Sequence, residues 1–582
     1  MKYQKLADVY QNLENTPAKL EKVKIISRLM KEADDEELKM IALLIQGRVF
    51  PSFDDREIGI AAQSMEKIIV QATGFSSKDV GSMFRELGDY GLVAEKLIGK
   101  KKQQTLFNRP LTLEKVFDNL QKISGMEGRG SQDRKFRLVA ELVSSAKPLE
   151  AKYIVRTTIG DLRIGVAEGI VRDAIADAFL DTETQEKKKE STSAVEWAWF
   201  LRPDYSEVAL IAKRKGIDGL NNVKIQVGKP YHVLLAEKSP GLEEALSSFE
   251  KPALEYKYDG ARVIIHKKGD KMWFYTRRLE NVTRQFPELQ DFVKEGVRAR
   301  ECIIEGEMIG FSKETGKPMP FQFLSQRIKR KYDIDRMAKE IPISVNVFDI
   351  VYLDGKDLFE RPLSERWETL KTIIRPIKGK FQLAEHIETK DLEEADKFYR
   401  KALSASQEGL IVKNMDAKYH PGRRVAGGWL KVKPVMETLD LAIIGATWGT
   451  GKRAGWLGSY ILGCRDEESG NFLNCGMIGT GIKEKKSEKV EEDSAGAVTF
   501  KELTDMLKSK ITEEHGSEVK IKPDLVVEVA YEEIQKSPNY ESGYALRFPR
   551  VLKIRPDKDV SEADTTGRIK ELYSQQKGKR SG

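Results

Sequence analysis

The sequence contains very little cysteine and histidine for its length. Among 582 residues there are only three cysteines, Cys302, Cys464 and Cys475, and five histidines. The cysteines lack the paired spacing of a zinc site, and a disulfide framework would need more of them. We therefore expect the three cysteines to be small buried side chains, and we exclude a structural zinc module and a disulfide-stabilised secreted fold.

Long apolar runs and a strong charge bias are also missing. No run approaches the roughly 18 uninterrupted apolar residues that span a bilayer, and the amino terminus lacks the apolar core of a signal peptide. A cytoplasmic protein with no membrane partner is therefore expected. Lys and Arg number 99 against 91 acidic residues, a net charge of +8, which permits a polyanionic partner without demonstrating one.

The periodicity of the apolar residues divides the chain into three predicted domains. Residues 1–217 place apolar side chains three and four positions apart, which predicts an all-α domain. Within them, residues 181–194 lack this period and are expected to form an exposed break or a frayed helical connection. Residues 218–433 change to short β-rich runs with some helices, which predicts an α+β domain. Residues 434–582 carry short strands and glycine-rich turns, which favours a small β-barrel of the OB-fold type.

One lysine stands in an unusual setting, in the run EYKYDGAR of residues 255–262. Lys257 lies between Glu255 and Asp259, so it is either a surface lysine of a lysine-rich chain or an amine nucleophile. A nucleophilic lysine must lose its proton, so cationic neighbours or desolvation should lower its pKa. If it attacks phosphorus, basic side chains and Mg²⁺ must neutralise the phosphate oxygens, and carboxylates must hold the metal.

The groups that this chemistry needs follow in order along the chain. Taken alone, each has a commoner explanation as a solvated strand residue or, for the aromatic one, a core residue. Their joint occurrence is what favours a nucleotide site. The candidates are Arg262 in KYDGAR, Arg277 in TRRLENVT, Glu305 and Glu307 in CIIEGEMIGF, Phe348 in VFDI, Glu408 in EGLIVK, and Lys431 and Lys433 in WLKVK.

This ordered set resembles the archaeal and eukaryotic ATP-dependent DNA ligases, a family of covalent nucleotidyltransferases. The resemblance covers the whole chain, because RFPRVLKIRPDK near the carboxyl end and TTIGDLRIGVAEGIVRDAI in the helical segment also look like parts of that family. A lone K-x-D-G-x-R would be weak evidence. Six or seven elements in family order make coincidence implausible.

The resemblance implies an enzyme that seals nicks in duplex DNA during replication, repair and recombination. Lys257 would attack the α-phosphorus of ATP, expel pyrophosphate and carry AMP, which would pass to the DNA 5′-phosphate before the 3′-hydroxyl seals the nick. Glu307 and Glu408 would hold Mg²⁺ or Mn²⁺. The implied nucleotide contacts are Glu255 to the adenine amino group, Phe348 to the ring, Arg262 and Arg277 to sugar and phosphates, Glu307 near the ribose, Arg424, Lys431 and Lys433 to phosphates, and Arg547 to pyrophosphate.

Two further segments carry signals for macromolecular partners. GTGKRAG, residues 449–455, lacks the spacing of a phosphate loop, and the resemblance implies that Lys452 and Arg453 contact duplex phosphates. QQTLF resembles a compact sliding-clamp-binding box, whose Gln103, Leu106 and Phe107 would dock in a groove; a plain surface turn is the alternative. We expect nicked double-stranded DNA as substrate, a sliding clamp as partner, a monomer, and a nucleoid-associated protein of a prokaryotic cell.

Other functions remain compatible with single motifs. An RNA ligase or a capping-type guanylyltransferase uses the same lysine, and RPDK resembles the capping terminal motif, but those enzymes do without the long helical segment. A non-catalytic DNA-binding or clamp-binding scaffold would not need the intact lysine, arginines and carboxylates. A bacterial-type NAD-dependent ligase needs a four-cysteine zinc module, which three cysteines cannot build.

Overall fold

The computed structural model describes residues 1–100, 110–126, 128, 130–319, 321–330, 332–422, 427–434, 437–449, 453, 455–484 and 498–575. Its amino-terminal part is helical, as the sequence predicts. Among all the helices described, none is both long and apolar enough to cross a membrane. The amino-terminal helices are α1 (Tyr3–Asn15), α2 (Lys19–Glu32), α3 (Asp35–Leu44), α4 (Met65–Thr73), α5 (Ser77–Leu87), α6 (Tyr90–Gly99), α7 (Leu113–Ser124), α8 (Ser131–Ser145), α9 (Pro148–Ile159), α10 (Glu168–Phe179), α11 (Gln185–Leu201) and α12 (Tyr205–Asn221).

Capping and close packing explain several of these helices. Asp34 and Ser76 start α3 and α5 with reciprocal capping boxes, which satisfy backbone amides that have no partner inside the helix. Helices α6 and α9 approach closely because Gly91 has no side chain. A Cβ atom at Gly91 would lie 2.8 Å from both the Lys152 carbonyl oxygen and Arg156 Cγ. A larger residue there would force the two helices apart.

The exposed break predicted over residues 181–194 is confined to residues 181–184, because α11 begins at Gln185. Thr184 caps this helix by accepting a hydrogen bond from the Lys187 amide at 3.2 Å. The lysines and glutamates that follow are good helix formers and stay mostly exposed, while Val195 and Ala198 in the second half are buried. The apolar period is missing because the first turns project into solvent, not because the helix stops.

The middle part is an α+β unit, also as predicted. The run VIIHKKGDKMWFYT predicts a hairpin around residues 267–270, and two strands of this unit form it, with Lys268 paired to Lys271. The strands are β1 (Glu237–Lys238), β2 (Pro252–Lys257), β3 (Ala261–Lys268), β4 (Lys271–Thr276), β5 (Glu301–Gly310), β6 (Ile343–Leu353), β7 (Lys356–Asp357), β8 (Phe381–Leu383), β9 (His386–Glu388), β10 (Gly409–Asn414) and β11 (Trp429–Val432). The helices are α13 (Leu242–Ser247), α14 (Pro287–Gly296), α15 (Phe321–Ile328), α16 (Ile334–Glu340), α17 (Leu363–Ile373) and α18 (Leu392–Ser404).

These strands form two sheets. Sheet A has the order β1-β11-β10-β2-β9, and sheet B has the order β4-β3-β5-β6-β7 with β8 beside β6. The chain passes from sheet A to sheet B in the short turn between β2 and β3. Gly260 in that turn lies so close to sheet B that a Cβ atom would be 2.2 Å from the Met308 carbonyl oxygen. A glycine is therefore required three residues after Lys257, because it lets the turn after β2 pack directly against β5.

The carboxyl-terminal part is a separate antiparallel sheet with its own core. Its elements are β12 (Leu439–Trp448), β13 (Leu457–Arg465), β14 (Phe472–Ile478), α19 (Phe500–Leu507), β15 (Ile511–His515), β16 (Glu518–Ile521), β17 (Val526–Ala530), β18 (Glu533–Lys536), β19 (Tyr544–Arg547), β20 (Arg550–Ile554) and α20 (Thr566–Gln575). The described strands pair in the order β14-β13-β12-β16-β15, with β17 between β12 and β20, and β18 pairs with β19. Cys464 and Cys475 are buried here and Cys302 is buried in β5, all three as free thiols, which confirms the prediction.

Candidate active site

A cavity of about 900 Å³ lies between sheets A and B, and the carboxyl-terminal part forms one of its walls. It collects every described residue to which the family resemblance assigns a role in catalysis, nucleotide binding or metal binding; Glu305 does not line it. Arg424 lies outside the described residues, as do Lys452 and the residues of the clamp-box prediction, Gln103, Leu106 and Phe107. The predicted residues that line the cavity are Glu255, Lys257, Arg262, Arg277, Glu307, Phe348, Glu408, Lys431, Lys433 and Arg547.

Strand alternation explains why side chains from distant motifs meet in this cavity. Successive residues of a strand point to opposite faces, so every second residue of a strand can face the same space. Sheet A contributes Glu255 and Lys257 from β2, Ile411 and Lys413 from β10, and Trp429 and Lys431 from β11. Sheet B contributes Arg262 from β3, Glu307 from β5 and Phe348 from β6.

Lys257 ends β2 and is held by a carboxylate. Its Nζ atom lies 2.7 Å from Glu408 Oε2, and Lys433 Nζ lies 2.8 Å from the same oxygen. Burial alone would raise the pKa of Glu408, but the two lysines outweigh it and lower that pKa to about 2. Glu408 is therefore ionised at neutral pH, and its carboxylate raises the pKa of Lys433 against the effect of burial.

Glu307 lies beside this group with the opposite electrostatic balance. Burial raises the pKa of Glu307 to about 7, although Lys257 and Arg262 act to lower it. The neighbouring carboxylates Glu408 and Asp259 add to the increase. Without a ligand, Glu307 is thus shared between its protonated and ionised forms near neutral pH, and an added cation would favour the ionised form.

The other glutamate on this face of β5, Glu305, is fully buried and positions an arginine. It forms an ion pair with Arg262 and accepts hydrogen bonds from the hydroxyls of Tyr231 and Tyr419, the second at 2.5 Å. Arg262 also donates to the Leu234 carbonyl oxygen at 2.7 Å. The Glu305 carboxylate is thus committed to contacts with buried side chains. Glu307, which lines the cavity, is the glutamate of β5 that a ligand can reach.

Glu255 occupies another end of the cavity, among aromatic rings. It is buried, and Lys413 Nζ lies 2.6 Å from its Oε2 atom while His386 Nδ1 lies 3.2 Å from Oε1. The Lys413 ammonium also lies 4.5 Å from the centre of the Phe348 ring and 4.3 Å from that of Trp429. Burial lowers the pKa of Lys413, and the Glu255 carboxylate opposes that effect. This end offers an anionic acceptor beside flat apolar faces.

The carboxyl-terminal part brings a further arginine to the cavity. Arg547 ends β19, and its Nη1 atom lies 3.3 Å from Glu533. Lys433 joins the two parts from the other side, with Nζ 3.3 Å from Glu532. Arg453, assigned to duplex DNA, does not line the cavity: it lies 3.4 Å from Glu484 and stacks over a ring of the carboxyl-terminal core. The nucleotide prediction for Arg547 is thus compatible with its place, and Arg453 faces elsewhere.

The two predicted metal ligands, Glu307 and Glu408, both line the cavity. Among the residues that the structure describes, no group of three or more histidine, cysteine or acidic side chains is arranged to hold a metal ion. Mg²⁺ commonly uses one or two carboxylates and completes its octahedral shell with waters and substrate phosphates. The residues present therefore fit a divalent ion that binds together with a nucleotide.

Motif reasoning missed several residues of the site. Lys413 and Trp429 stand inside runs that were recognised, EGLIVKN and WLKVK, and the two-residue strand period would have placed both on the cavity face. Tyr231, Tyr419 and His386 belong to no motif. No local pattern marks them, because only the folded chain brings them to Glu305 and Glu255.

Known proteins match this chain along its full length. Three family models fit it, described as "DNA ligase N terminus" over residues 2–176, "ATP dependent DNA ligase domain" over 233–433 and "ATP dependent DNA ligase C terminal region" over 453–558. The chain is 47% identical over 579 residues to the DNA ligase of Nanoarchaeum equitans, with 99% of each chain covered. It is 43% identical over 577 residues to the DNA ligase of Thermococcus fumicolans, again with 99% of each covered.

A solved structure shares the fold as well. The protein titled "Pmar-Lig_PreS3" is 17% identical, and the match covers 94% of this chain and 99% of that one with a TM-score of 0.55. At this identity the match speaks for the fold alone. The family models and the full-length relatives carry the assignment: the chain belongs to the ATP-dependent DNA ligase family.

Proposed function

We propose that this protein seals nicks in duplex DNA at the expense of ATP, with Lys257 carrying AMP between the two. The observation that carries the proposal is the place of Lys257 at the end of β2, inside a cavity lined by Glu255, Glu307 and Glu408 and by several cations. A nucleophile, an adenine-sized end with an acceptor, and a cationic region for phosphates are thus present in one space. Covalent nucleotidyl transfer needs all three.

The reaction consists of three displacements at phosphorus. The neutral amine of Lys257 attacks the α-phosphorus of ATP, so that a P–N bond forms, the P–O bond to pyrophosphate breaks and the amine proton leaves. An oxygen of the DNA 5′-phosphate then displaces the lysine and receives AMP. Finally the 3′-hydroxyl at the nick loses its proton, attacks that 5′-phosphorus and releases AMP. Alignment and charge neutralisation supply most of the catalysis.

Each predicted site residue has a role in this scheme. Lys257 must first separate from Glu408 and lose its proton, because an ion-paired ammonium has no free lone pair. Glu307 and Glu408 would hold Mg²⁺ or Mn²⁺, which when bound neutralises phosphate charge. The remaining assignments are Glu255 to the adenine amino group, Phe348 to the ring, Arg262 and Arg277 to sugar and phosphates, Arg424, Lys431 and Lys433 to nucleotide phosphates, and Arg547 to pyrophosphate.

The proposal divides the chain into a helical DNA-binding domain (1–217), an adenylation domain (218–433) and an OB-fold barrel (434–582). Backbone contacts support closure of the barrel. Strand β12 pairs with both β13 and β17, β17 pairs with β20, and the Val551 amide on β20 donates to the Thr480 carbonyl, 3.0 Å away and just past β14. A ring of five strands would leave no open sheet edge.

The proposed partners follow from the substrate. Three domains arranged around duplex DNA would hold both sides of a nick mainly through phosphates, so binding should weaken steeply with salt. We assign Lys452 and Arg453 to duplex phosphates, and Gln103, Leu106 and Phe107 to a sliding clamp. The protein is proposed to act as a monomer near the nucleoid of a prokaryotic cell.

A labelled nick tests the lysine directly. Wild-type protein is expected to seal nicked DNA with ATP, and Lys257→Ala is expected to lose sealing and protein adenylation together. Given a nick that already carries AMP on its 5′-phosphate, Lys257→Ala should still seal, since that step does not use the amine as nucleophile. The matched control is Lys251→Ala, which removes a lysine that is 66% exposed just before β2.

The same assay separates the alternatives. Sealing by Lys257→Ala with ATP on an ordinary nick would contradict the lysine assignment. Wild-type protein that prefers GTP, or that joins only RNA ends, would instead favour a capping enzyme or an RNA ligase. Wild-type protein that forms no adenylate under any nucleotide and metal would favour a non-catalytic scaffold.

A further inference from the structure

Lys413 is a buried cation at the end of the cavity where Glu255 lies, and no motif assigns it a role. Its side chain is about 2% exposed. Ile411 on β10 pairs with Glu255 on β2, and Lys413 lies two residues after Ile411. A long side chain reaches such a diagonal neighbour, so the sheet itself directs the lysine onto the glutamate.

The contacts of Lys413 are unusually restrictive for a lysine. Its ammonium is 2.6 Å from Glu255 Oε2 and within 4.5 Å of the ring centres of Phe348 and Trp429. A carboxylate and two aromatic faces all favour a positive charge at this point. The lysine is therefore built into the wall of the site and is not available to bind phosphate.

The effect of this arrangement falls on Glu255. The carboxyl group of Glu255 is about 4% exposed, and a carboxyl group buried without a cation favours its neutral, protonated form. A protonated carboxyl offers a hydrogen-bond donor, whereas an ionised one only accepts. His386 touches the other oxygen and stacks on Trp367 with ring centres 4.3 Å apart, so it fixes the direction of the carboxyl group.

We propose that Lys413 determines the choice of nucleotide base by keeping Glu255 a pure hydrogen-bond acceptor, an inference that rests on the proposed function. A purine with an amino group at position 6 then donates to Glu255. A purine with an oxygen at that position places one acceptor against another and is rejected. Phe348 and Trp429 supply the flat faces on which either purine stacks equally well, so the discrimination comes from the pair of Lys413 and Glu255.

The test compares ATP with ITP, because the two nucleotides differ in the hydrogen-bonding groups at the 6-position edge of the purine and nowhere else. We expect Lys413→Met to lose about tenfold or more in kcat/KM for self-adenylation with ATP while the value for ITP stays level or rises, so that the ATP-to-ITP ratio falls by about tenfold or more. Lys413→Arg keeps the charge and should retain a clear preference for ATP. An unchanged ratio in Lys413→Met, whatever happens to the absolute rate, would overturn the proposal.

Two further variants protect the test from trivial results. Glu255→Gln combined with Lys413→Met leaves no unpaired buried charge, so it should fold where the single variant fails, and its amide can both donate and accept. It should therefore use ATP and ITP about equally, and a retained preference for ATP would also overturn the proposal. Lys380→Met is the matched control, because this exposed lysine lies 5.9 Å from the Phe292 ring and far from any motif.

The outcome also separates this inference from the proposed function. Wild-type protein that forms no adenylate with ATP would contradict the proposed function itself. Wild-type protein that labels with ATP and prefers it to ITP, alongside a Lys413→Met variant with the same preference, would contradict only the role of Lys413.

Discussion

Two groups of buried or partly buried charges in this molecule use similar residues in different ways. The amino-terminal cluster consists of Glu14, Asp89, Lys152 and Arg156, packed among α1, α6 and α9. The nucleotide-site cluster consists of Lys257, Glu307, Glu408 and Lys433, at the edge of the cavity. Both combine two carboxylates with two cations. The second cluster borders the cavity of about 900 Å³ between sheets A and B.

In the amino-terminal cluster every charge is satisfied by the chain itself. Arg156 lies 2.9 Å from Glu14 and 2.7 Å from Asp89, and Lys152 lies 2.8 Å from Glu14. Burial would raise the pKa of Glu14, but Arg156, Lys152 and Tyr153 outweigh it and lower that pKa to about 2. The pKa of Asp89 is lowered against burial in the same way, chiefly by Arg156. This cluster holds three helices together and has no capacity left.

In the nucleotide-site cluster the charges are shared unequally. Both lysines approach the same oxygen of Glu408, while Glu307 is left with a pKa of about 7. A large difference between the pKa values of two neighbouring carboxyl groups is typical of functional sites. Burial of charge alone therefore does not identify a functional site. A functional site is better identified by charged groups whose pairing is completed only by a ligand.

The largest expected effect comes from Glu408→Gln, which should lower the rate of nick sealing about a hundredfold or more, as for loss of a metal-holding and charge-organising group. The free energy of unfolding should change by less than about 1 kcal/mol, because Lys257 and Lys433 can turn into the open cavity and regain water. Sealing kinetics at limiting Mg²⁺ and denaturant unfolding measure the two quantities. Undiminished sealing would remove Glu408 from the metal site; Glu393→Gln, an exposed glutamate on α18, is the control.

Arg156→Met should show the reverse pattern. It leaves the buried Asp89 carboxylate with its backbone amide contacts and a longer ion pair to Arg163 at 3.3 Å, and breaking a buried pair in this way costs about 3–5 kcal/mol. Denaturant unfolding, followed by a probe in the helical part, should detect that loss. Protein that is still folded should form the adenylate at close to the wild-type rate. A variant with unchanged stability and a defective adenylation step would contradict the purely structural role of the amino-terminal cluster. Arg28→Met, on the exposed side of α2, is the control.

The pH dependence of stability should have opposite signs at the two clusters. Glu14 has a lowered pKa, so its contribution is present above about pH 4.5 and is lost as the pH falls towards 2. Glu307 has a raised pKa, so the folded state loses stability as the pH rises from about 4.5 to about 7. Each effect should amount to about 1–3 kcal/mol. In metal-free buffer, Glu14→Gln should flatten the acid side of the stability curve and Glu307→Gln the neutral side.

The pH measurement contradicts the comparison if both variants shift the curve in the same direction. It also contradicts the account of Glu307 if Glu307→Gln leaves the stability between pH 4.5 and 7 unchanged. A wild-type curve recorded with a divalent metal and ATP should resemble that of Glu307→Gln over this range, because a bound cation favours the ionised glutamate.

Much of the architecture could be predicted from local patterns, because strand and helix periods depend on neighbouring residues. The strands that carry Lys257, Glu307 and Phe348 are present where their motifs indicate, and Glu408 lies directly before β10. The break predicted over residues 181–194 is too long because exposed helical turns need no apolar period. Helices α19 and α20 could not be predicted, because short strand-like runs and glycine-rich turns dominate the pattern of that segment.

Within the site, what could not be predicted depends on contacts between distant parts of the chain. Glu305 and Glu307 look equivalent in sequence, and only the hydroxyls of Tyr231 and Tyr419 show that Glu305 is committed to Arg262. Lys413 could be predicted as a strand residue. Its role depends on contact with Glu255, which lies more than 150 residues earlier in the chain and which no local pattern connects to it.

The most direct test of the central claim is peptide mass mapping of the protein after incubation with ATP and a divalent metal. One AMP per chain is expected, joined through a P–N bond to the Nζ atom of Lys257 and released when nicked DNA is added. AMP found on a different side chain, or no AMP on a preparation that nevertheless seals nicks, would contradict it.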